Sequence, residues 1–465
     1  MVRILDGRAG KLRSYSLRNG SKRQAGASQC NIMVRSGLYG WDRLEHTNGP
    51  LIMITQTLVL IPAFSGLMDS LVSGKWAPSG VPAIYKLLEQ GYQPDSPFKV
   101  KVAVFARNAE ENLNLGREGT RYIENLGNVT VIGWHTVGPR WLTRLVNELR
   151  QTVLCGLLAR RCKGDVIYCT NGLVFQAAVL SRIVRRKVVL RMMGIFPFHR
   201  SVINGRGLVA HLYRWAYRSP FRHVVCTQEG SGAERILPLL LEDSVPRSIL
   251  LNGVNISNQR KTRESLRVSF RLREAVVVLF LGRLTEYKGC DDFVNAAVRY
   301  LGATDRPETI FVLVGEGPRR KALQEKIQHA KLTDAIWMLG ARPHGEVHEW
   351  FSVCDVYVSG NRHGNLSNAN LEAMAMGCCL VLPKSDPVTG IDEATDALLP
   401  PAAAMRYDAT LGDVALSEAL LSLSRNPKKR KQMVENLKGA VSSQLLSWDA
   451  RVLAEIQILS TVSKS

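Results

Sequence analysis

Phe-Leu-Gly-Arg-Leu-Thr-Glu-Tyr-Lys-Gly, residues 280–289, decides the reading of this chain. An apolar run over Ala275–Gly282 feeds it, and an amphipathic helical pattern follows. Two further strand-to-helix junctions come later: Val-Gly-Glu-Gly-Pro at Val314–Pro318, and Gly-Asn-Leu-Ser-Asn-Ala-Asn-Leu-Glu-Ala-Met-Ala-Met-Gly at Gly364–Gly377. In open α/β sheets, ligands bind at the loops leaving the strands' C-terminal ends. The three junctions therefore predict half of an enzyme that holds a nucleotide diphosphate and acts on what is attached to it.

The apolar runs Ala275–Gly282, Thr309–Gly315, Ala335–Gly340, Asp355–Ser359 and Cys378–Leu382 predict one parallel sheet. An earlier set predicts a second: Leu51–Val59, Lys101–Phe105, Val129–Gly133, Asp165–Thr170, Lys187–Met192 and His223–Thr227, with one more strand and turn at Ile249. Helical stretches such as Pro139–Arg161, Leu173–Arg185 and Gly205–Arg218 lie between them. Runs apolar on consecutive residues suit strands covered on both faces. The expectation is an α/β chain of two Rossmann-like domains: a basic tail over 1–48, an acceptor domain over 49–250, a nucleotide-sugar domain over 251–440, and a helix over 441–465 packing back toward the first domain. Asn252–Thr262 reads as the linker. A length of 465 residues suits two cores.

Arg283 and Lys288 share one loop, and two fixed cations there suit a departing diphosphate. Cations placed where charge develops stabilise the transition state more than the ground state. Gly315 and Gly317 read either as a tight turn beside the nucleotide or as a turn only, because Arg320 stands where a third glycine would complete a dinucleotide fingerprint. Ser367 or Asn365 can cap the third helix, whose first turn, through Leu366 and Asn368, would offer backbone N–H groups to phosphate. Glu372 follows one turn later among apolar neighbours, placed to accept both ribose hydroxyls. A buried carboxylate needs such a partner.

On these residues the chain resembles a retaining glycosyltransferase of the GT-B fold, glycosyltransferase family 4. The resemblance runs from about Leu51 to Ser460. It is most specific at Gly282–Gly289 and Leu366–Gly377, and continues at Ser79–Pro82, Asp165–Thr170, Cys226–Gly230 and Asn252–Asn255. It implies two domains facing across a cleft, donor on the second and acceptor on the first. Arg283 and Lys288 would meet the diphosphate, Glu372 the ribose, and Gly282 and Gly80 would let backbone approach the donor. Two departures stand out. The first glutamate of the family's E-x7-E pair falls on Gly364, so Asn361, His363 and Asn365 become the nearby candidates on the sugar side. A histidine common after the middle strands of the first domain falls on Asn171 or Gly194, with His199 close by.

The expected reaction is sugar transfer from a nucleotide-sugar with retention, without cofactor or metal. No D-x-D triad is present, and His344, His348 and His363 are read as lacking metal-ligand spacing. The competing readings are a sugar-nucleotide epimerase, a phosphorylase, or a non-catalytic GT-B relative that binds glycan or membrane.

Net charge is +21, and Val166–Gln228 holds ten Lys or Arg without one acid. That favours an anionic membrane surface and a lipid-linked or glycan acceptor. Nucleic acid is not expected, because no aromatic stacking series or zinc finger accompanies the charge. Nine cysteines without a C-x-x-C pair suggest reduced thiols. Leu51–Val72 is too interrupted to span a bilayer, and the first 45 residues lack an apolar signal region, although a transit peptide or over-extended start is an alternative reading of the tail. The expected location is cytoplasmic, peripheral at the membrane face.

Overall fold

The computed structural model describes residues 54–465, apart from 77–79, 94–95, 97, 107–117, 135–137, 163 and 256–260. Of the first 53 residues it describes only four three-residue strands, so the basic tail lies outside the described residues, as does Ser79.

The first sheet contains β1 (Ile54–Pro62), β2 (Phe98–Ala106), β3 (Glu118–Ile123), β4 (Gly127–Gly133), β5 (Val166–Thr170), β6 (Val188–Met192), β7 (His223–Gln228) and β8 (Arg247–Leu251). Their order is β8-β7-β6-β5-β1-β2-β4-β3, parallel except for the β3–β4 pair. Successive residues of β1 serve opposite layers: Leu58 and Leu60 pack in one core, Val59 and Ile61 in the other. That two-sided burial is why these strands read as continuous apolar runs.

The second sheet contains β9 (Val276–Leu281), β10 (Thr309–Val314), β11 (Ile336–Gly340), β12 (Val356–Val358), β13 (Leu380–Pro383) and β14 (Ala404–Tyr407). The order is β11-β10-β9-β12-β13-β14, all parallel. Here Val277 and Leu279 face one core, and Val278 and Phe280 the other. The order reverses at β9, and such a switch point opens a crevice at the strand ends. This is the two-domain GT-B architecture.

Three details depart from the sequence expectation. β3 was not anticipated; its Glu-Gly-Thr-Arg-Tyr-Ile alternates as an edge strand does, not as a buried one. β14 was also missed, being four residues long. The stretch before Arg218 holds two helices, Pro197–Asn204 and Leu208–Tyr217, the first started by a proline at its N-terminus.

The chain crosses between the domains twice, near residues 252–255 and 446–448. The crossings are bonded side by side: Val254 N–H donates to the Leu446 carbonyl at 2.8 Å, and Trp448 N–H to Asn255 Oδ1 at 3.1 Å. The final helix, Trp448–Lys464, then lies on the first domain, with Val452, Ile456 and Leu459 in its core. Its Glu455 is fully buried between Arg191 Nε at 2.9 Å and Arg451 Nη1 at 2.8 Å, and Tyr168 donates to it as well. Burial pushes the Glu455 carboxyl up, and the two guanidiniums together pull it below its usual value.

Candidate active site

A cleft of about 610 Å³ opens between the domains at the C-terminal ends of both sheets. From the second domain, Gly282 and Arg283 reach it on the loop leaving β9, and Lys288 on the 3-10 turn that follows. Arg283 is exposed on the cleft wall. Lys288 is partly covered, with its ammonium 5.7 Å from the Tyr287 ring centre. Burial lowers its pKa, and Glu229 across the cleft opposes the shift. Ser367 and Asn368 bring the start of helix Asn368–Ala375 to the same wall. Ser367 makes no side-chain cap bond, which leaves the first-turn N–H groups without that partner. Asn361 and His363 complete this side, His363 stacking on Tyr287 at 5.3 Å. Gly80 faces it from the first domain, at φ +98 with nothing within 4 Å of where a Cβ would stand.

Six expected residues are placed elsewhere. Gly315 and Gly317 press backbone to backbone against the β9 loop; a Cβ on either would lie 1.9 Å from the Gly282 oxygen or 2.4 Å from that of Leu284. With Leu284 N–H donating to Glu316 O, the turn braces the Arg283 loop from behind. Leu366 is core. Asn365 is fully buried: its amide donates to Asp392 Oδ2 at 2.6 Å and to the Asn361 carbonyl, and its oxygen accepts from Ser359. It fixes the loop shape and does not line the cleft. Gly364 sits under the Glu229–Gly230 backbone.

Glu372 does not line the cleft; it is held by helix His344–Val353. It accepts from His344 Nε2 at 3.0 Å, and His348 Nε2 lies 3.9 Å from its other oxygen. This corrects the expectation that these histidines lack ligand spacing. His344 and His348 are one helical turn apart, and with Glu372 they place three donor atoms within 4.8 Å of one another. Imidazoles at i and i+4 facing a carboxylate are a donor set for a divalent transition metal. His363 stands apart from this group, beside Tyr287.

The sequence reading missed Glu229, which follows β7 and lines the cleft opposite Lys288. Burial pushes its carboxyl up to about 7, with Lys288 and Arg191 pulling the other way. One signal pointed to it: Glu229 is the first acid after the cationic stretch ending at Gln228.

A second cavity, of about 350 Å³, adjoins through Phe196 and is lined by Arg144, Glu148, Asn171, Phe198 and Tyr213. His199 belongs here and not to the donor cleft. Its Nδ1 accepts from Phe196 N–H at 2.9 Å, its Nε2 meets Tyr217 OH at 3.1 Å, and burial holds its pKa down to about 4.

Two Rossmann-like domains facing across a cleft define a GT-B fold. Residues 262–439, most of the second domain, match the family described as Glycosyl transferases group 1. The 2-deoxystreptamine N-acetyl-D-glucosaminyltransferase of Streptomyces fradiae is 28% identical over 54% of this chain and 59% of its own. A putative colanic acid biosynthesis glycosyltransferase of Salmonella typhimurium is 26% identical over 55% and 62%. A lipopolysaccharide core biosynthesis mannosyltransferase of Rhizobium meliloti is 27% identical over 33% and 46%. The chain thus matches less than two thirds of each relative. Among solved structures, sucrose-phosphate synthase from Thermosynechococcus elongatus superposes with a TM-score of 0.64 at 16% identity, over 88% of this chain and 99% of that one. Anabaena HepE in complex with UDP-glucose does so at 0.60 and 18%, over 88% and 100%. At these identities the superpositions establish the fold.

Proposed function

We propose that the protein transfers a sugar from a nucleotide-sugar to an acceptor, with retention at the anomeric carbon and without a metal on the diphosphate. The observation that carries this is the convergence of Arg283, Lys288 and the open helix start at Ser367 on one cleft wall. Leaving-group charge built there meets three fixed positive ends. HepE, of the same fold, holds UDP-glucose, which supports a nucleotide-sugar as ligand. Glu372 takes the ribose hydroxyls once its bond from His344 is exchanged. Retention rests on the family resemblance; the leaving phosphate oxygen accepts the acceptor's proton, so no strong protein base is required.

The acceptor enters by the second cavity, lined by the aromatic rings of Phe175, Phe198 and Tyr213. The relatives in lipopolysaccharide core and colanic acid biosynthesis support a lipid-linked glycan or polysaccharide precursor. Helix Arg140–Arg161 exposes Trp141, Leu145, Leu149, Val153 and Leu157 at every fourth position, beside exposed Arg144, Arg160 and Arg161. Helix Leu208–Tyr217 adds exposed Leu208, Val209, Leu212 and Trp215, and Arg144 reaches across to Tyr213. An apolar ridge set among cations suits shallow insertion into an anionic leaflet. No helix among the described residues is long and apolar enough to cross a membrane. We place the protein at the cytoplasmic face; the described cysteines are free thiols, in keeping with a reducing compartment.

The test is a thermal-shift screen of UDP-, GDP- and ADP-sugars, followed by a transfer assay with the stabilising donor. A ligand at 100 times its Kd adds about 2.7 kcal/mol. Glu372→Gln should weaken binding of the free nucleoside diphosphate by roughly 1.5–3 kcal/mol, since a charged hydrogen bond is lost. No stabilising nucleotide-sugar and no transfer would refute the reading.

A further inference from the structure

Two positions where the family resemblance leads one to expect a polar side chain are glycines here: Gly194 after β6 and Gly364 before helix Asn368–Ala375. They belong to different domains, yet both pack on the same residue. A Cβ at Gly364 would fall 2.3 Å from the Glu229 carbonyl oxygen, and one at Gly194 would fall 2.7 Å from Glu229 Oε2. Both have positive φ, +122 and +115, so a side chain at either would meet backbone strain as well as a collision. Residue 229 thus fills the space that the two absent side chains would need.

We infer that Glu229 supplies the carboxylate that grips the transferred sugar, in place of the acid missing at position 364. This rests on the sugar-transfer reading above and adds the residue that reads the sugar. Three bonds of the loop fix its backbone. Leu366 N–H donates to Glu229 O at 3.1 Å, Asp392 N–H to Gly230 O at 2.7 Å, and Gly230 N–H to Gln228 Oε1 at 3.0 Å. The first two come from the second domain, so the packing of the two domains holds the residue in place. Its side chain lies opposite Lys288. With the diphosphate on Lys288 and Arg283, the sugar bonded to that diphosphate falls within Glu229's reach.

The carboxylate is perturbed by burial and by the charges of Lys288 and Arg191, with no hydrogen bond among the causes. Among the described residues no side-chain hydrogen bond to its carboxylate is seen, and burying a carboxylate that is not fully paired is costly to the fold. Sugar hydroxyls would supply donors to it, and sites kept at a cost to stability are commonly functional.

The test uses the full chain and two variants, Glu229→Gln and Glu229→Ala. Probes are the nucleotide-sugar selected by the thermal-shift screen and its nucleoside diphosphate. Both variants should bind the diphosphate within about threefold of wild type and lose at least ~10-fold in affinity for the nucleotide-sugar. Turnover should fall by about 10² or more, as for removal of one transition-state contact. Glu229→Gln should melt at or above the wild-type temperature at pH 8, an effect opposite to that of losing a structural residue. Nucleotide-sugar binding and turnover within threefold of wild type would overturn the inference. So would an equal loss of diphosphate and nucleotide-sugar affinity, which would place Glu229 on the nucleotide through Lys288. A wild-type protein that binds no nucleotide-sugar would overturn both this inference and the reading beneath it.

Discussion

Arg283 and Lys288 show how a site is prepared residue by residue. Lys288 sits where burial lowers its affinity for a proton and Glu229 opposes that shift, so an arriving diphosphate adds to the counter-charge Glu229 supplies. Arg283→Ala and Lys288→Ala are each expected to keep the wild-type melting temperature and to lower turnover by ~10²–10³. Steady-state rates within threefold of wild type for both would remove them from the chemistry. Glu229 adds a pH signature. Its folded pKa is raised, from 4.5 to about 7, so the folded state favours the protonated form. That contribution is fully present below about pH 4.5 and is lost as pH rises through about 7. Melting curves of wild type and Glu229→Gln should therefore diverge between pH 5 and 8, the wild type losing ground. Arg283, Lys288, Ser367 and Asn368 were legible because loop chemistry and helix starts are local in sequence. Glu229 was not, because Gly194 meets it only through the pairing of β6 with β7, and Gly364 and Lys288 only after two domains have folded against each other.

At the scale of elements, helix His344–Val353 carries two consequences. His344 and His348 are one turn apart in the sequence itself, so their convergence was readable; only the third member, Glu372, required the tertiary structure. A transition-metal ion held by this group would occupy the oxygens assigned to ribose. Turnover is accordingly expected to survive EDTA and to be inhibited by micromolar Zn2+ in competition with the donor. His344→Ala, at an exposed position, should relieve the inhibition. Activity abolished by EDTA and restored by Mg2+ or Mn2+ would contradict metal-independent transfer. The final helix carries another expectation. Glu455→Ala would leave Arg191 and Arg451 buried without their counter-charge, and breaking a buried pair costs about 3–5 kcal/mol. A large fall in melting temperature, with the cleft's nucleotide affinity lost alongside, is expected because Arg191 also lines the cleft. Most strands were legible because both faces are covered; β3 and β14 were not, one for its mixed edge pattern and one for its brevity.

For the whole molecule, charge and apolar surface combine on the first domain. Not all ten cations of Val166–Gln228 are free to meet a membrane. Arg182 donates to Ser219 and Arg218, Arg186 to Gly164, Arg214 to Val202 and Gly205, and Arg191 is buried. The exposed set includes Arg185, Arg206, Arg218 and Arg222. Co-sedimentation with vesicles containing anionic lipid should exceed that with neutral vesicles and weaken with salt, as charges are screened beyond ~8 Å at physiological ionic strength. Leu149→Glu and Arg206→Glu, both at exposed positions, should reduce it and spare nucleotide affinity. Equal pelleting with both vesicle types, or none at low salt, would leave this face as ordinary solvated surface.

The paired crossings at residues 252–255 and 446–448 bear on how the cleft works. A single connecting strand lets two bodies swivel; two strands bonded to each other behave as the spine of a book. Such a spine would resist sliding of one domain past the other more than opening about its own axis. Glu229 of the first domain is held in register with the second, its carbonyl accepting from Leu366 N–H and packing on Gly364. Under the proposed transfer, alignment of sugar and diphosphate would follow from how the chain is threaded, with Asn252 of the spine itself lining the cleft and donating to Asn368 at 2.6 Å.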